Sequence, residues 1–112
     1  MSSGQDLVIE LQGKVTMLDK ALQQLGNRGR AYAQAEMDYR IGLAQKILTE
    51  RDKGTPVTII SDVCRGDRGI AKLKFERDVA ETVYKSAMEA INTFKLQIKI
   101  IENQIDREWK NS

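Results

Sequence analysis

Apolar residues recur along the first part of the chain at alternating steps of four and three, a spacing typical of a helix that packs lengthwise against another helix. They are Leu11, Val15, Leu18, Leu22 and Leu25, followed in the same register by Tyr32, Tyr39 and Leu43. Gly26 and Gly29 interrupt this run, and each costs a helix roughly 1 kcal/mol relative to Ala. The pattern therefore predicts a first helical arm over residues 5–51, with a kink or weak point near 26–29.

A connector over residues 52–66 separates this arm from the next element. Gly54 suits the position just after a helix C-terminus, and Pro56 can begin a helix but cannot continue one. Thr55 is the predicted N-cap of a short helix that starts after Pro56 and ends at Arg65-Gly66. An extended segment is the alternative, because the first four residues after Pro56 are all β-branched.

The second arm, residues 67–110, has the most regular pattern in the chain, and Asp67 is its predicted N-cap. Its seam is formed by Ala80, Tyr84, Ala87, Ile91, Phe94, Ile98, Ile101 and Ile105. No Pro or Gly follows Gly69 within it. Two arms of similar length joined by a compact connector predict an all-α fold, a long antiparallel, coiled-coil-like helical hairpin in a single domain, residues 1–112.

Apolar residues also flank the seam of the second arm, where one partner helix cannot cover them. They are Val79, Val83, Leu96, Ile100 and Trp109. Because two helices packed along one seam bury little surface, we expect a homo-oligomer, a dimer or higher, in which hairpins assemble into a bundle.

Composition narrows the classes of function. The formal net charge is only +2, so bulk charge does not direct the chain to nucleic acid or to a membrane surface, and no apolar run approaches the roughly 20 residues that span a bilayer. Cys64 is the only cysteine and histidine is absent. The usual zinc sets and catalytic triads cannot be assembled from one chain, and a lone cysteine suits a reducing compartment. We expect a cytoplasmic, non-enzymatic protein without a metal, a cofactor or catalytic residues.

The connector and the start of the second arm concentrate the residues able to bind a ligand. The candidate binding residues are Thr55, Thr58, Ile59, Asp62, Arg65, Asp67, Arg68 and Lys72. The three cations near a predicted helix N-terminus, with glycines at 66 and 69, could hold a phosphate or a carboxylate. Two plainer interpretations stay open: the charges form a solvated turn and pair with one another, and Ile59 belongs to an apolar plug at the end of the bundle.

Five segments carry a resemblance to a known group of proteins. They are Gly54–Val63, Arg65-Gly66-Asp67 and Leu73–Glu81, together with Tyr84-Lys85 and Glu89-Ala90-Ile91. Over roughly residues 30–110 the chain resembles small, uncharacterised helical proteins encoded by phages and prophages of Gram-positive bacteria. The resemblance implies no catalytic residues. It implies a role inside the bacterial host cell, either in blocking a host factor such as a defence system or in assisting phage DNA replication and recombination.

These observations together predict a phage-type binding protein that blocks or sequesters a host factor through its connector. The expected target is a host protein or a phosphate-bearing nucleotide. Nucleic acid is less favoured, because the arms carry mixed charge rather than a basic stripe. The alternative is an accessory or structural protein of phage DNA replication, recombination or virion assembly.

Overall fold

The structure is a computed structural model that describes residues 4–111. It contains helices α1 (Gly4–Asp52), α2 (Val57–Gly66) and α3 (Arg68–Lys110), with no strand among the described residues. Helices α1 and α3 pack against each other in antiparallel directions, with α2 between them in the chain. The predicted all-α helical hairpin with a short helical connector is therefore confirmed. None of the helices in this part of the chain is long and apolar enough to cross a membrane.

Two of the predicted helix ends are confirmed by their hydrogen bonds. Gly54 has a φ of 81° and donates its amide to the Arg51 carbonyl at 3.0 Å, and the Thr55 amide bonds the Glu50 carbonyl at 3.0 Å. This pair of bonds is the usual glycine-terminated end of a helix. At the start of α3, the Asp67 carboxylate accepts a hydrogen bond of 3.1 Å from the Ile70 amide, as an N-cap does.

The prediction that Thr55 caps α2 is wrong. Pro56 precedes α2, and no side chain makes a capping hydrogen bond there. Thr55 takes part in the end of α1 instead, and its hydroxyl donates to Glu50 Oε2 at 2.6 Å. The β-branched start of α2 does not prevent a helix, because Ile60 and Cys64 are buried on one face and tertiary packing outweighs propensity.

The chain divides into two compact units. Unit 1 combines Met1–Asn27 with Lys85–Ser112, and unit 2 is Arg28–Tyr84. Helix α1 is continuous through Gly26 and Gly29, so the weak point predicted there does not end it.

Unit 1 is held together by an apolar seam. Leu7, Ile91 and Ile101 are buried. The half-buried positions around them include Leu11, Leu18, Leu25, Phe94, Ile98 and Ile105, which confirms most of the predicted seam.

Two predicted seam positions in unit 1 are wrong. Val15 and Leu22 are exposed, and the preceding residues, Lys14 and Ala21, are the half-buried ones. Residues 14 and 21 form one column along α1 and residues 15 and 22 form the adjacent column. Both columns repeat every seven residues, so periodicity alone does not tell which of them faces the partner helix.

Unit 2 adds α2 to the helix pair, and Ile60, Cys64 and Ile70 form its buried centre. Helices α1 and α3 come close at Gly42, where an added Cβ would lie 2.6 Å from Leu73 Cδ1. Further along the pair, the rings of Tyr32 and Tyr84 have centroids 5.9 Å apart, and the Tyr32 hydroxyl bonds Glu81 at 3.2 Å. The predicted seam tyrosines Tyr32 and Tyr84 are therefore half-buried and pack against each other in this unit.

Candidate binding cleft at the connector

A cleft of about 720 Å³ opens where the three helices of unit 2 meet. Its apolar lining includes Leu43 and Ile47 from α1, Ile60 and Cys64 from α2, and Ile70 from α3. Cys64 is a free thiol, buried as expected for a small apolar side chain. The cleft is therefore a concave surface whose deepest part is apolar, the kind of surface that commonly accepts an apolar ligand group.

The rim of the cleft combines exposed apolar side chains with two unpaired cations. Val57 is 80 % exposed and Phe75 is 66 % exposed, although both border the cleft. Arg51 and Arg65 also border it, and within residues 4–111 neither has a carboxylate at ion-pair distance. An apolar surface next to two free guanidinium groups favours a partner that offers both an apolar side chain and a carboxylate or phosphate.

A network of ion pairs around Asp78 lies at one side of the cleft. Asp78 accepts hydrogen bonds of 2.8 Å from both Lys74 and Arg77, and Arg77 bonds Glu36 at 2.8 Å across the helix pair. The Arg77 guanidinium also lies 5.0 Å from the centre of the Tyr39 ring. The hydrogen bond from Lys74, together with Arg77, lowers the pKa of Asp78. Lys74 and Asp78 are therefore occupied with each other, unlike the arginines of the rim.

A second polar cluster, which we call the connector latch, joins the end of α1 to the start of α3. Its members are Lys46, Glu50, Thr55 and Asp67. Glu50 is buried, accepts the Thr55 hydrogen bond and lies 3.0 Å from Lys46 Nζ. Lys46 Nζ also lies 3.5 Å from Asp67 Oδ1. The Thr55 and Lys46 hydrogen bonds lower the pKa of Glu50, and the Ile70 amide followed by Lys46 lowers that of Asp67.

The candidate binding residues fall into three groups in the structure. Arg65 borders the cleft, whereas Thr55 and Asp67 belong to the connector latch. The other candidates are exposed outside the cleft lining: Thr58, Ile59, Asp62, Arg68 and Lys72. Ile59 is therefore not part of the buried plug at this end of the bundle, a role taken by Ile60.

The phosphate site predicted at the start of α3 is already filled by a group of the protein itself. The Asp67 carboxylate caps the helix through the Ile70 amide and is paired with Lys46. At Gly69 an added Cβ would lie only 3.2 Å from Asp67 Oδ2, so this carboxylate also crowds the glycine. An incoming anion would have to displace Asp67 and would meet its charge, which leaves the basic rim of the cleft as the better place for an anion.

The sequence interpretation missed several residues of the cleft. They include Tyr39, Leu43, Ile47, Arg51, Val57, Ser61, Ile70, Ala71, Lys74, Phe75 and Asp78. One signal was present: Val57, Ile60, Ser61 and Cys64 follow helical spacing and mark a single face of α2. The residues of α1 and α3 carried no such signal, because their part in the cleft depends on where α2 packs.

No protein-family model, curated protein or solved structure matches this chain. Within residues 4–111 there is also no group of three or more His, Cys, Asp or Glu side chains placed to hold a metal ion.

Proposed function

We propose that this protein is a non-enzymatic binding protein that blocks or sequesters a host factor, and that the connector cleft is its binding surface. The single observation that carries the proposal is the rim of the cleft. Exposed Val57 and Phe75 line it together with Arg51 and Arg65, which form no ion pair within residues 4–111. Large exposed apolar side chains grouped around a concavity are typical of interaction sites.

The target that best fits this rim is a protein segment with an apolar anchor next to an acidic residue. The anchor would enter the apolar part of the cleft near Ile60 and Ile70, and the carboxylate would bond Arg51 or Arg65. A phosphate-bearing nucleotide is the second candidate, since its phosphate would bond the same arginines and its base would pack against the apolar lining. The resemblance to phage proteins supports a target in the bacterial host.

The cleft is better suited to binding than to catalysis. Its carboxylate, Asp78, is engaged by two cations that lower its pKa, so it stays ionised at neutral pH and is a poor general acid or base there. Its thiol, Cys64, is buried beneath the cleft rather than presented at the surface.

The proposal is tested by capture of partners from a lysate of a Gram-positive host, with the double variant Val57→Lys/Arg65→Glu compared with the parent. The matched control is Thr58→Lys/Arg68→Glu, which makes the same kinds of change at neighbouring exposed positions outside the cleft. We expect a partner that the parent and the control retain and that the cleft variant binds roughly tenfold more weakly, about 1.4 kcal/mol.

Equal retention by all three proteins would overturn the proposal.

For a captured partner, the salt dependence of its affinity identifies its class. A protein held mainly through apolar contacts loses little affinity with added salt, whereas nucleic acid loses affinity steeply because bound counterions are released.

A further inference from the structure

Helix α1 of unit 1 carries a row of exposed apolar side chains beside its seam. Val8, Val15 and Leu22 are spaced seven residues apart and are each between 40 and 46 % exposed. Seven residues rotate around the helix axis by about 20° less than two full turns, so the row stays on one side of the helix. In helical bundles an apolar position next to the seam faces a further helix. Unit 2 has α2 for this purpose, but the described residues of unit 1 provide no third helix.

Helix α3 of unit 1 carries a matching row at the same spacing: Met88, Lys95, Glu102 and Trp109. All four are exposed, and Trp109 is 74 % exposed. Val8 and Trp109 line one groove together with Gly4 and Gln5, so the two rows border the same side of the helix pair. In the described part of the chain, Lys95 and Glu102 form no ion pair.

Each row is complementary to a reversed copy of itself. Read in either direction, the α3 row has apolar residues at its ends and opposite charges in the middle. Against an antiparallel second copy, Met88 therefore meets Trp109 of the second copy, and Lys95 meets its Glu102. In the same way the α1 row places Val8 against Leu22 of the second copy and Val15 against its own counterpart. Such self-complementarity is what a two-fold symmetric interface requires.

One two-fold axis can satisfy both rows. Gly4, Gln5 and Val8 lie beside Glu108 and Trp109, and the helices run antiparallel. Both helices rise by the same distance per residue. Counted from this end of the pair, Val15 therefore lies beside the part of α3 between Lys95 and Glu102. The centres of the two rows are therefore at the same level of unit 1.

We propose that unit 1 is a homodimerisation surface: two copies pack these rows together as an antiparallel four-helix bundle, α1 against α1 and α3 against α3. Charge complementarity supports a second copy as the occupant. Exposed Lys95 and Glu102, which form no ion pair within residues 4–111, lie opposite each other when the row faces a reversed copy of itself.

Charge reversal tests the register of the dimer. Lys95→Glu places a new carboxylate against Glu102 of the second copy at two symmetric places, and Glu102→Lys places two lysine side chains together in the same way. Each single variant should dimerise roughly tenfold more weakly in analytical ultracentrifugation at low salt. The double variant Lys95→Glu/Glu102→Lys should regain the parent affinity. An equimolar mixture of the two single variants should form heterodimers, because each chain then offers the charges that the other needs.

Cross-linking tests the axis independently of charge. Val15→Cys should form a disulfide-linked dimer under mild oxidation, because the two copies of residue 15 face each other, while the parent, whose only thiol is buried Cys64, should not. Leu96→Cys is the matched control, since Leu96 is 60 % exposed in the same unit but lies outside both rows.

Three results would each overturn this assignment. The parent could be a monomer at micromolar concentration. The two single charge variants could fail to complement each other. Leu96→Cys could cross-link more efficiently than Val15→Cys, which would place the interface on another side of α3.

Discussion

Unit 1 and unit 2 are built from the same two helices, but different contacts hold the helices together. In unit 1 the buried residues are Leu7, Ile91 and Ile101. Unit 2 adds polar contacts between α1 and α3, such as Glu36 with Arg77 and Lys46 with Asp67. The Lys46–Asp67 pair lies where the connector meets α3, and a directional contact of this kind holds the junction in one geometry more strictly than apolar contacts do.

The units also differ in how each helix pair is covered. In unit 2, α2 packs over one side of the pair and leaves a cleft with a mixed apolar and basic rim. Unit 1 has two self-complementary rows and no third helix in the described residues. Under the two proposals above, unit 1 binds a second copy of the chain and unit 2 binds a different partner.

The largest expected effect comes from the apolar seam of unit 1. Ile101→Asp places an unpaired carboxylate at a buried position and should lower the free energy of unfolding by about 4 kcal/mol, measured by urea denaturation at fixed protein concentration. Ile100→Asp is the matched control, because Ile100 directly precedes Ile101 in the sequence but has an exposed side chain. The control should stay within about 0.5 kcal/mol of the parent. Similar losses for both variants would mean that the seam of α3 is assigned to the wrong face.

The connector latch of unit 2 should give an intermediate, pH-dependent effect. The pKa values of Glu50 and Asp67 are lowered in the folded state, so their stabilisation is complete above the unfolded values, near pH 4 to 4.5, and is lost as the pH falls through the folded values. Glu50→Gln should therefore lower the Tm at pH 7 by roughly 5 °C, and the difference from the parent should shrink toward pH 3.

The control for this prediction is Glu76→Gln, which alters an exposed carboxylate of the same unit. Its Tm should follow that of the parent across the whole pH range. A constant difference between the Glu50 variant and the parent from pH 7 to pH 3 would show that the Glu50 charge is not what stabilises the connector.

The smallest expected effect comes from replacing one helical glycine in each unit with alanine. An added Cβ at Gly13 of unit 1 meets no atom within 4 Å, so Gly13→Ala should stabilise by about 0.5–1 kcal/mol. At Gly42 of unit 2, Leu73 would have to move away from the new Cβ, so Gly42→Ala should be neutral or destabilising by about 1 kcal/mol. Urea denaturation of both variants measures the difference. Equal stabilisation would show that α1 and α3 do not need a small residue at Gly42.

The helices and their ends could largely be predicted from the sequence. The α3 seam from Ala80 to Ile105, the glycine end of α1 at Gly54 and the Asp67 cap all depend on signals within a few residues of the chain. Thr55 was assigned wrongly because two local motifs compete for it. It could cap the helix that follows or complete the end of the helix before it, and the outcome depends on Glu50.

Periodicity and local turn chemistry thus determined the all-α hairpin and its element boundaries, because these signals act over one or two helical turns. Tertiary structure alone decided which of two adjacent columns of α1 became the seam, so that Lys14 and Ala21 are half-buried while Val15 and Leu22 stay exposed. It also decided that Arg65 borders a cleft and that Arg68 does not. The physical reason is the same in both cases. A helix presents several faces, and which face is covered depends on a helix that is distant in the sequence.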